Sequence, residues 1–454
     1  MHKPLALATL VVAAIAPATA LASGFETARF GGEHGTPVSP NPTAVYYNPA
    51  ALAETQGVQV WLEYDLALRS ASYEHSPAKT DIPEPPGAQG ANDGKGTLFN
   101  VVGAPFIGAS WKVTKDLALG AAFYVPFGGQ ETWDQNSKFK NQTMYPGIVD
   151  GPQRWYSITG EIISMYWSLG VAYKIPGTGL SLGASGNLIR SDIKTIRARE
   201  ISGTDSISNE GRSYLDVEGF EGSFAAGALY EFIKDKLWMG ASYQARPNVA
   251  GGMKLNGTLS VFSFGSDNTQ KVSVYQDYPD MVRWGARWRP NDKWELRLFA
   301  DWERWSNFQD QCISNQNTPC VVEKDGSSTS KGIIQNLPRR WQDGFGIRAG
   351  GSYWVKPEIE LFLGTGYDSN AVPDQHLEPV IMDMKRITAT VGGTFDVTKN
   401  VALGLSFTQF FGIPRDTTGE SQNAQFSPPS TGPDAGGKYN EQISVFNLDV
   451  NLKF

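Results

Sequence analysis

Histidine is scarce in this sequence. Beyond residue 22 it occurs only at His34, His75 and His376. A serine or cysteine nucleophile needs a histidine within hydrogen-bond reach and a third group to orient it. None of the three adjoins a nucleophile motif such as Gly-x-Ser-x-Gly, and His75 and His376 fall in segments rich in loop formers. Asp301 and Glu303 form an acid pair two residues apart. In an alternating segment that spacing places both on one face of a strand, where they read as polar lining rather than as a general acid and base. Cys312 and Cys320 lie among Asn, Gln, Ser and Gly with no histidine nearby, which argues against a metal site and for a loop disulfide in an oxidising compartment. No catalytic set, metal centre or cofactor is expected.

The bulk properties narrow the class. The chain has 454 residues, a net charge of −7 and 41% hydrophobic residues. A soluble multidomain protein would be the default for that length, but the N-terminus points elsewhere. His2 and Lys3 precede an apolar, alanine-rich stretch from Leu5 to Leu21, and Ala20-Leu21-Ala22 offers a small-residue cleavage site. This pattern is that of a secretory signal peptide, residues 1–22. After it no apolar run is long enough for a membrane-crossing helix. The mild acidity without a basic block leaves no footprint for nucleic acid. Aromatics at 12%, with 13 Trp and 49 Gly, suit a barrel wall with interfacial belts.

The elements that must position these residues are strands. From Val58 to Phe454 alternating segments are joined in turn by short polar turns and longer loops. The turns are Thr114-Lys115-Asp116, Pro176-Gly177-Thr178-Gly179, Lys234-Asp235-Lys236, Asn291-Asp292-Lys293, Lys356-Pro357-Glu358 and Thr398-Lys399-Asn400. Six turns join twelve strands, and one strand at each end (58–72 and 442–454) makes about 14 strands, an even number as bacterial barrels require. Long loops are expected at 76–96, 130–154, 198–212, 309–338 and 413–439. Leu117, Leu119, Ala121, Phe123 and Val125 alternate with Ala118, Gly120, Ala122 and Tyr124, and Trp294 and Trp302 share a face of their strand. In a bilayer, lipid covers such a face and barrel closure satisfies the backbone. The chain ends with Phe446, Leu448, Val450, Leu452 and Phe454 alternating with Asn447, Asp449, Asn451 and Lys453, the kind of terminal strand that outer-membrane barrels offer to their assembly machinery. The expected fold is therefore all-β, a transmembrane antiparallel barrel occupying 58–454.

Residues 23–57 do not alternate. They are either a free periplasmic tail or a plug inside a lumen wide enough to hold one, with a short helix expected from Pro49 to Glu54. In this region the sequence resembles a family. Gly24-Phe25, Tyr47-Asn48-Pro49-Ala50-Ala51-Leu52, Val125-Pro126-Phe127-Gly128, Tyr278-Pro279-Asp280-Met281-Val282-Arg283-Trp284-Gly285 and Gly364-Thr365-Gly366-Tyr367-Asp368 look like the long-chain fatty acid outer-membrane transporters (FadL-like), which include importers of aromatic hydrocarbons. The resemblance implies a monomeric barrel with an N-terminal hatch (23–57) and passive transport of a hydrophobic compound, most simply a long-chain fatty acid. It also implies lateral exit to the membrane through a gap at a kink in the third strand. Carried to this chain, Gly24, Phe25, Asn48, Pro49 and Ala50 belong to the hatch. Pro126, Phe127, Gly128 and Gly129 supply the kink, because proline lacks a donor and glycine relaxes backbone limits.

Ligand contacts should be aromatic and aliphatic with a few polar groups. Trp133, Phe139 and Trp155 (with Tyr145 and Tyr156) are candidates for an outer capture surface. Arg190 and Lys194, two same-face cations of the fifth strand, are candidates inside the barrel for a ligand carboxylate. An aromatic hydrocarbon importer and a general porin are the alternatives within the same fold; an outer-membrane lipase or protease is the enzymatic one. Both chain ends should be periplasmic.

Overall fold

The computed structural model describes residues 29–249, 251–263 and 266–454, so the signal peptide and Gly24-Phe25 lie outside the described residues. One closed antiparallel sheet dominates it. Its first six staves are β1 (Val58–His75), β2 (Gly94–Lys112), β3 (Leu117–Thr132), β4 (Thr159–Lys174), β5 (Leu180–Arg199) and β6 (Gly211–Ile233). Each of the next four is broken in two. β7 (Leu237–Gln244) continues as β8 (Met253–Ser263), and β9 (Ser266–Gln276) continues as β10 (Met281–Asn291). Likewise β11 (Trp294–Glu303) continues as β12 (Asp310–Asn315), and β13 (Ile333–Pro338) as β14 (Gly344–Lys356). The last four staves are β15 (Ile359–Asp368), β16 (Arg386–Thr398), β17 (Val401–Gly412, followed by the two-residue β18, Arg415–Asp416) and β19 (Gly437–Lys453). That is 14 staves, and β19 pairs back onto β1 along its length, from Gln59 opposite Lys453 to His75 opposite Gly437. Closure leaves no edge, which is what a spanning sheet needs in hydrocarbon.

All six short turns fall between paired strands as the sequence indicates. The alternation is also as expected. Leu169 and Leu363, 73% and 68% exposed, face outward with many other apolar strand residues, an apolar belt of the kind that lipid covers. Trp294 and Trp302 both face out, about 27 Å apart along an extended strand, near the height of an apolar band once the strand tilts. Among the described residues no helix is long and apolar enough to cross a membrane.

The four breaks, at 245–252, 277–280, 304–309 and 339–343, lie side by side across neighbouring staves, because Gln244 pairs with Met281 below the break and Met253 with Gln276 above it. Pro247 and Pro279 lie within them and give the ladder no donor. Asp280 ties the breaks together instead. Its carboxylate accepts from the Tyr243 hydroxyl at 2.6 Å, the Arg246 N–H at 3.2 Å, Asn307 at 3.0 Å and Arg304. The segment 309–338, expected to be a loop, instead contains β12 and β13, which pair with each other. Cys312 and Cys320 are joined as a disulfide there.

Candidate functional site

Residues 29–55 pack inside the barrel as a plug, nearly all of them buried. Its 3-10 helix, Pro49–Glu54, starts as the sequence dictates. Proline takes a first-turn position that needs no donor, and the Asn48 side chain caps the helix by accepting the Ala50 N–H at 3.1 Å. The same amide donates to the carbonyls of Pro37 at 2.8 Å and Ala228 at 3.1 Å, so one side chain ties the plug to itself and to β6. Ser242 donates to the Tyr47 carbonyl at 2.5 Å, and Arg283 donates to the Tyr46 carbonyl at 3.1 Å while lying 4.3 Å over the Tyr46 ring. The Gly31 N–H meets both Glu63 oxygens at 2.8 Å, and His34 lies 3.0 Å from Glu360. The wall makes room with facing glycines. Gly183 opposes Gly227, and a Cβ at Gly183 would lie 2.3 Å from the Ala50 nitrogen.

Replacing Asn48 by Ala is expected to loosen this docking. It orphans the Pro37 carbonyl and the Ala50 N–H, and each buried orphan costs about 1–3 kcal/mol. Amide exchange at Ala50 and Ala51 should quicken by roughly tenfold or more, with the barrel still heat-modifiable on gels. Unchanged exchange would make Asn48 an ordinary loop residue.

The ladder between β2 and β3 is interrupted beside the plug. β2 and β3 pair from Lys112 opposite Ala118 up to Phe106 opposite Tyr124, and there the pairing stops. It returns only as a single bridge between Leu98 and Trp133, where the Asp134 N–H also donates to the Thr97 carbonyl at 2.8 Å. Between these two points the strands frame a window. Its cause is a bulge in β3, since Tyr124 pairs with Tyr166 of β4 but Phe127 pairs with Ser164, leaving one extra residue at Val125-Pro126. A proline in the bulge cannot donate across to β2.

Behind the window runs a column of aromatic side chains. Phe106 stacks on Tyr124 at 5.6 Å and Tyr124 on Tyr166 at 5.5 Å. Phe127 lies 6.2 Å from Tyr166 and 5.1 Å from Tyr278, and the series continues through Trp305 at 6.4 Å to Trp341 at 4.8 Å and Phe308 at 5.0 Å. The loop 369–385 folds down on the far end and adds Leu377, Ile381, Met382 and Met384 to the same buried cluster. It is held by Arg339 on Glu378 at 2.8 Å and by Arg415 on the Asp383 carbonyl at 2.7 Å. Burial pushes the Asp383 carboxyl up, and the Val372 N–H, Arg386 and the Ala371 N–H partly offset it. At the window a void of about 30 Å³ is lined by Arg69, Gly129, Glu131, Ile162, Val380 and Ile381 among others. Arg69, buried, pairs with Glu441 at 2.7 Å.

Across residues 5–454 the chain matches the family described as outer membrane protein transport protein (OMPP1/FadL/TodX). The chain belongs to this family. A Neisseria meningitidis serogroup B protein assigned to the outer membrane is 22% identical over 427 residues, covering 91% of this chain and 89% of that one. Among solved structures, a Pseudomonas aeruginosa FadL homologue superposes with a TM-score of 0.76 at 19% identity, covering 96% of this chain and 100% of that one. The Ralstonia pickettii toluene transporter TbuX gives 0.62 at 14% identity, covering 91% and 94%. At such identities the likeness to these structures is one of fold. The OMPP1/FadL/TodX family is one of outer-membrane transport proteins for hydrophobic compounds.

Within this FadL-type barrel the sequence-derived residues fall unevenly. Asn48, Pro49 and Ala50 are in the lumen, and Pro126, Phe127, Gly128 and Gly129 are at the window. Arg190 and Lys194 require a correction. They share the outward face of β5 with Leu182 and Leu188, whereas Asn187, Ile189 and Ser191 point inward. Arg190 is spent on Asp192 at 3.2 Å and Glu218 at 2.6 Å. The loop aromatics are not displayed either. Trp133, Phe139 and Trp155 are buried, Phe139 against Ala88, Ala91, Ile148 and Ile207, and Trp155 against Tyr156, Ala198 and Ala435. The buried lumen cations Arg69 and Arg348 carry no sequence signal of their own, and Arg283, Tyr278 and Phe127 stand out in the sequence only as members of motifs, not as part of a lumen lining. Their strand parity was legible in the sequence, but which parity faces inward follows only from the closed register.

Proposed function

We propose that this protein takes hydrophobic compounds from the extracellular side, passes them along the aromatic column and releases them sideways through the β2–β3 window into the bilayer. The observation that carries this reading is the window itself, opening beside a greasy column rather than below an aqueous channel. A hydrophobic solute that leaves sideways never enters water. Asn48, Pro49 and Ala50 hold the plug that keeps the lumen shut below. The short turns and both chain ends are periplasmic, the mature chain starts after residue 22, and Phe454 is offered to the assembly machinery. The barrel acts as a monomer, its closed sheet leaving no edge to share.

Long-chain fatty acids are the favoured substrate, because Arg69, whose Nε is held by Glu441, lines the void with Ile162, Val380 and Ile381 and keeps its two Nη groups for a carboxylate on an alkyl chain. A small aromatic hydrocarbon is the second reading, supported by the aromatic column and by the fold shared with toluene transporters. Uptake of labelled oleate and toluene in a host lacking its own transporter tests both. Replacing the buried pair together, Arg69→Met with Glu441→Leu, is expected to cut oleate uptake by about ten- to a hundredfold, the worth of one charge-assisted hydrogen bond, and to spare toluene. A gain for toluene alone would select the second reading, and no gain for either would sink transport.

A further inference from the structure

We propose that the extracellular end of the barrel carries a binding site for a divalent transition-metal ion, of the Zn²⁺ class, built on His75, Asp81 and Asp93. Among the described residues this is the one place where a histidine nitrogen and two carboxylate oxygens all lie within 4.8 Å of one another. The three come from different supports. His75 ends β1, and its rigid backbone pairs with Gly94 on one side and Gly437 on the other. Asp81 and Asp93 come from the loop that follows. That loop is fixed around the site, because the Ala78 N–H binds Asp81 at 2.5 Å, Asp205 accepts the Ile82 N–H at 2.8 Å, and Asn92 donates to Asp205 at 3.0 Å.

Two further observations point to a cation rather than to a self-sufficient cluster. The first is the imidazole itself. The His75 side chain is only 5% exposed, and its Nε2 has no hydrogen-bond partner. That nitrogen faces Asp434 at 3.6 Å, while Nδ1 is 3.1 Å from the Asn92 carbonyl oxygen and 3.3 Å from Asp93. With the ring proton on Nδ1, donated to that carbonyl, an unprotonated Nε2 confronts a carboxylate. A metal ion on Nδ1 moves the proton to Nε2, where it is directed at Asp434. Metal-ligating histidines are commonly oriented by a carboxylate on their second nitrogen in this way. The second observation is charge. Among the described residues no lysine or arginine pairs with Asp81, Asp93 or Asp434, and His75 is the one basic group beside them. Three carboxylates around one imidazole leave a negative excess that a divalent ion would neutralise.

The donor set fixes the class of ion. Imidazole nitrogen with carboxylate and carbonyl oxygen suits Zn²⁺ or Mn²⁺, whereas Ca²⁺ and Mg²⁺ take oxygen alone. The Asn92 carbonyl is placed to serve as a fourth ligand, and Asp434, tied by the Gly436 N–H at 2.8 Å, orients the ring. The ion would join the end of β1, the loop after it and the segment leading into β19.

Titration of ZnCl₂ into the tag-free, chelator-treated mature protein in detergent tests this by calorimetry. One saturable site is expected. His75→Ala and Asp93→Asn should each weaken it at least tenfold, and Asp434→Asn by about ten- to a hundredfold, with heat-modifiable gel mobility reporting that each barrel is folded. X-ray absorption of the wild-type complex should show one imidazole with oxygen neighbours and no sulfur. Absence of saturable Zn²⁺ binding by the wild type would overturn the assignment, as would affinity unchanged by His75→Ala. Saturation by CaCl₂ but not by ZnCl₂ would overturn it too.

Discussion

Deleting Pro126 is expected to seal the barrel wall and to cut uptake of a long-chain substrate by more than tenfold while the barrel still folds. From the Phe106–Tyr124 pair to the Leu98–Trp133 bridge, β2 advances eight residues and β3 nine. The surplus is the bulge residue, which likewise shifts β3 by one against β4. Removing it brings both neighbours of β3 into continuous register, and the donor-free position of β3 disappears with it. The ladder between Phe99–Pro105 and the upper half of β3 can then zip. A substrate that reaches Phe127 must leave downward through water instead. Each methylene wetted on that route costs about 0.8 kcal/mol, so two already slow escape by more than about tenfold. Uptake of labelled oleate by cells with matched amounts of heat-modifiable protein is the measurement. Undiminished uptake in the deletion variant would mean that the window is not the exit.

Deleting residues 29–56 is expected to turn a closed barrel into an aqueous pore. Those residues supply the groups that fill the lumen between the glycine pairs of the wall, including Phe30, Tyr46, Tyr47 and Leu52, all buried. What they leave behind is lined by polar and charged side chains, among them Glu63, Asp65, Arg283, Arg348 and Asp449, and such a cavity fills with water. A 14-stave barrel is then wide enough to conduct. Planar-bilayer recordings should show steady ion currents for the deletion variant against an almost silent parent, together with entry of small polar sugars in a liposome-swelling assay. A deletion variant as silent as its parent would show that the loops above, with 369–385 at their centre, close the lumen unaided.

Those two expectations rest on features of different legibility. The staves, their turns and the terminal Phe454 strand could be read directly, because alternation and turn chemistry are local and a turn such as Asn291-Asp292-Lys293 carries its own instructions. The Asn48-Pro49 helix start was equally local. The breaks at 245–252, 277–280, 304–309 and 339–343 were not visible, since each segment alternates acceptably and Asp280, in one break, gathers donors from two others. Arg190 and Lys194 were set on one face correctly but on the side opposite to the one expected, because a period-two pattern does not say which face is inside where charged residues occupy the outer end of a strand. Trp133, Phe139 and Trp155 lie in segments that read as exposed loops and bury themselves through contacts with other loops. Asp434 meets His75, Asp81 and Asp93 only because the first and last staves are neighbours.

That neighbourhood also constrains how the molecule is made. Val58 and Phe454 exchange backbone hydrogen bonds at 3.0 and 2.8 Å, and Gly57, at φ 59°, joins the plug directly to the first of those strands. Many of the plug's anchors on the wall, at Gly183, Ala228, Ser242 and Arg283, sit on the middle staves, while Glu63 holds it on β1 near this join. A half-built sheet of those staves already offers the plug its docking surface while β1 and β19 are still apart. The final pairing then works like a lid fastened on a filled vessel. The pairing of β19 with β1 encloses the segment that precedes β1.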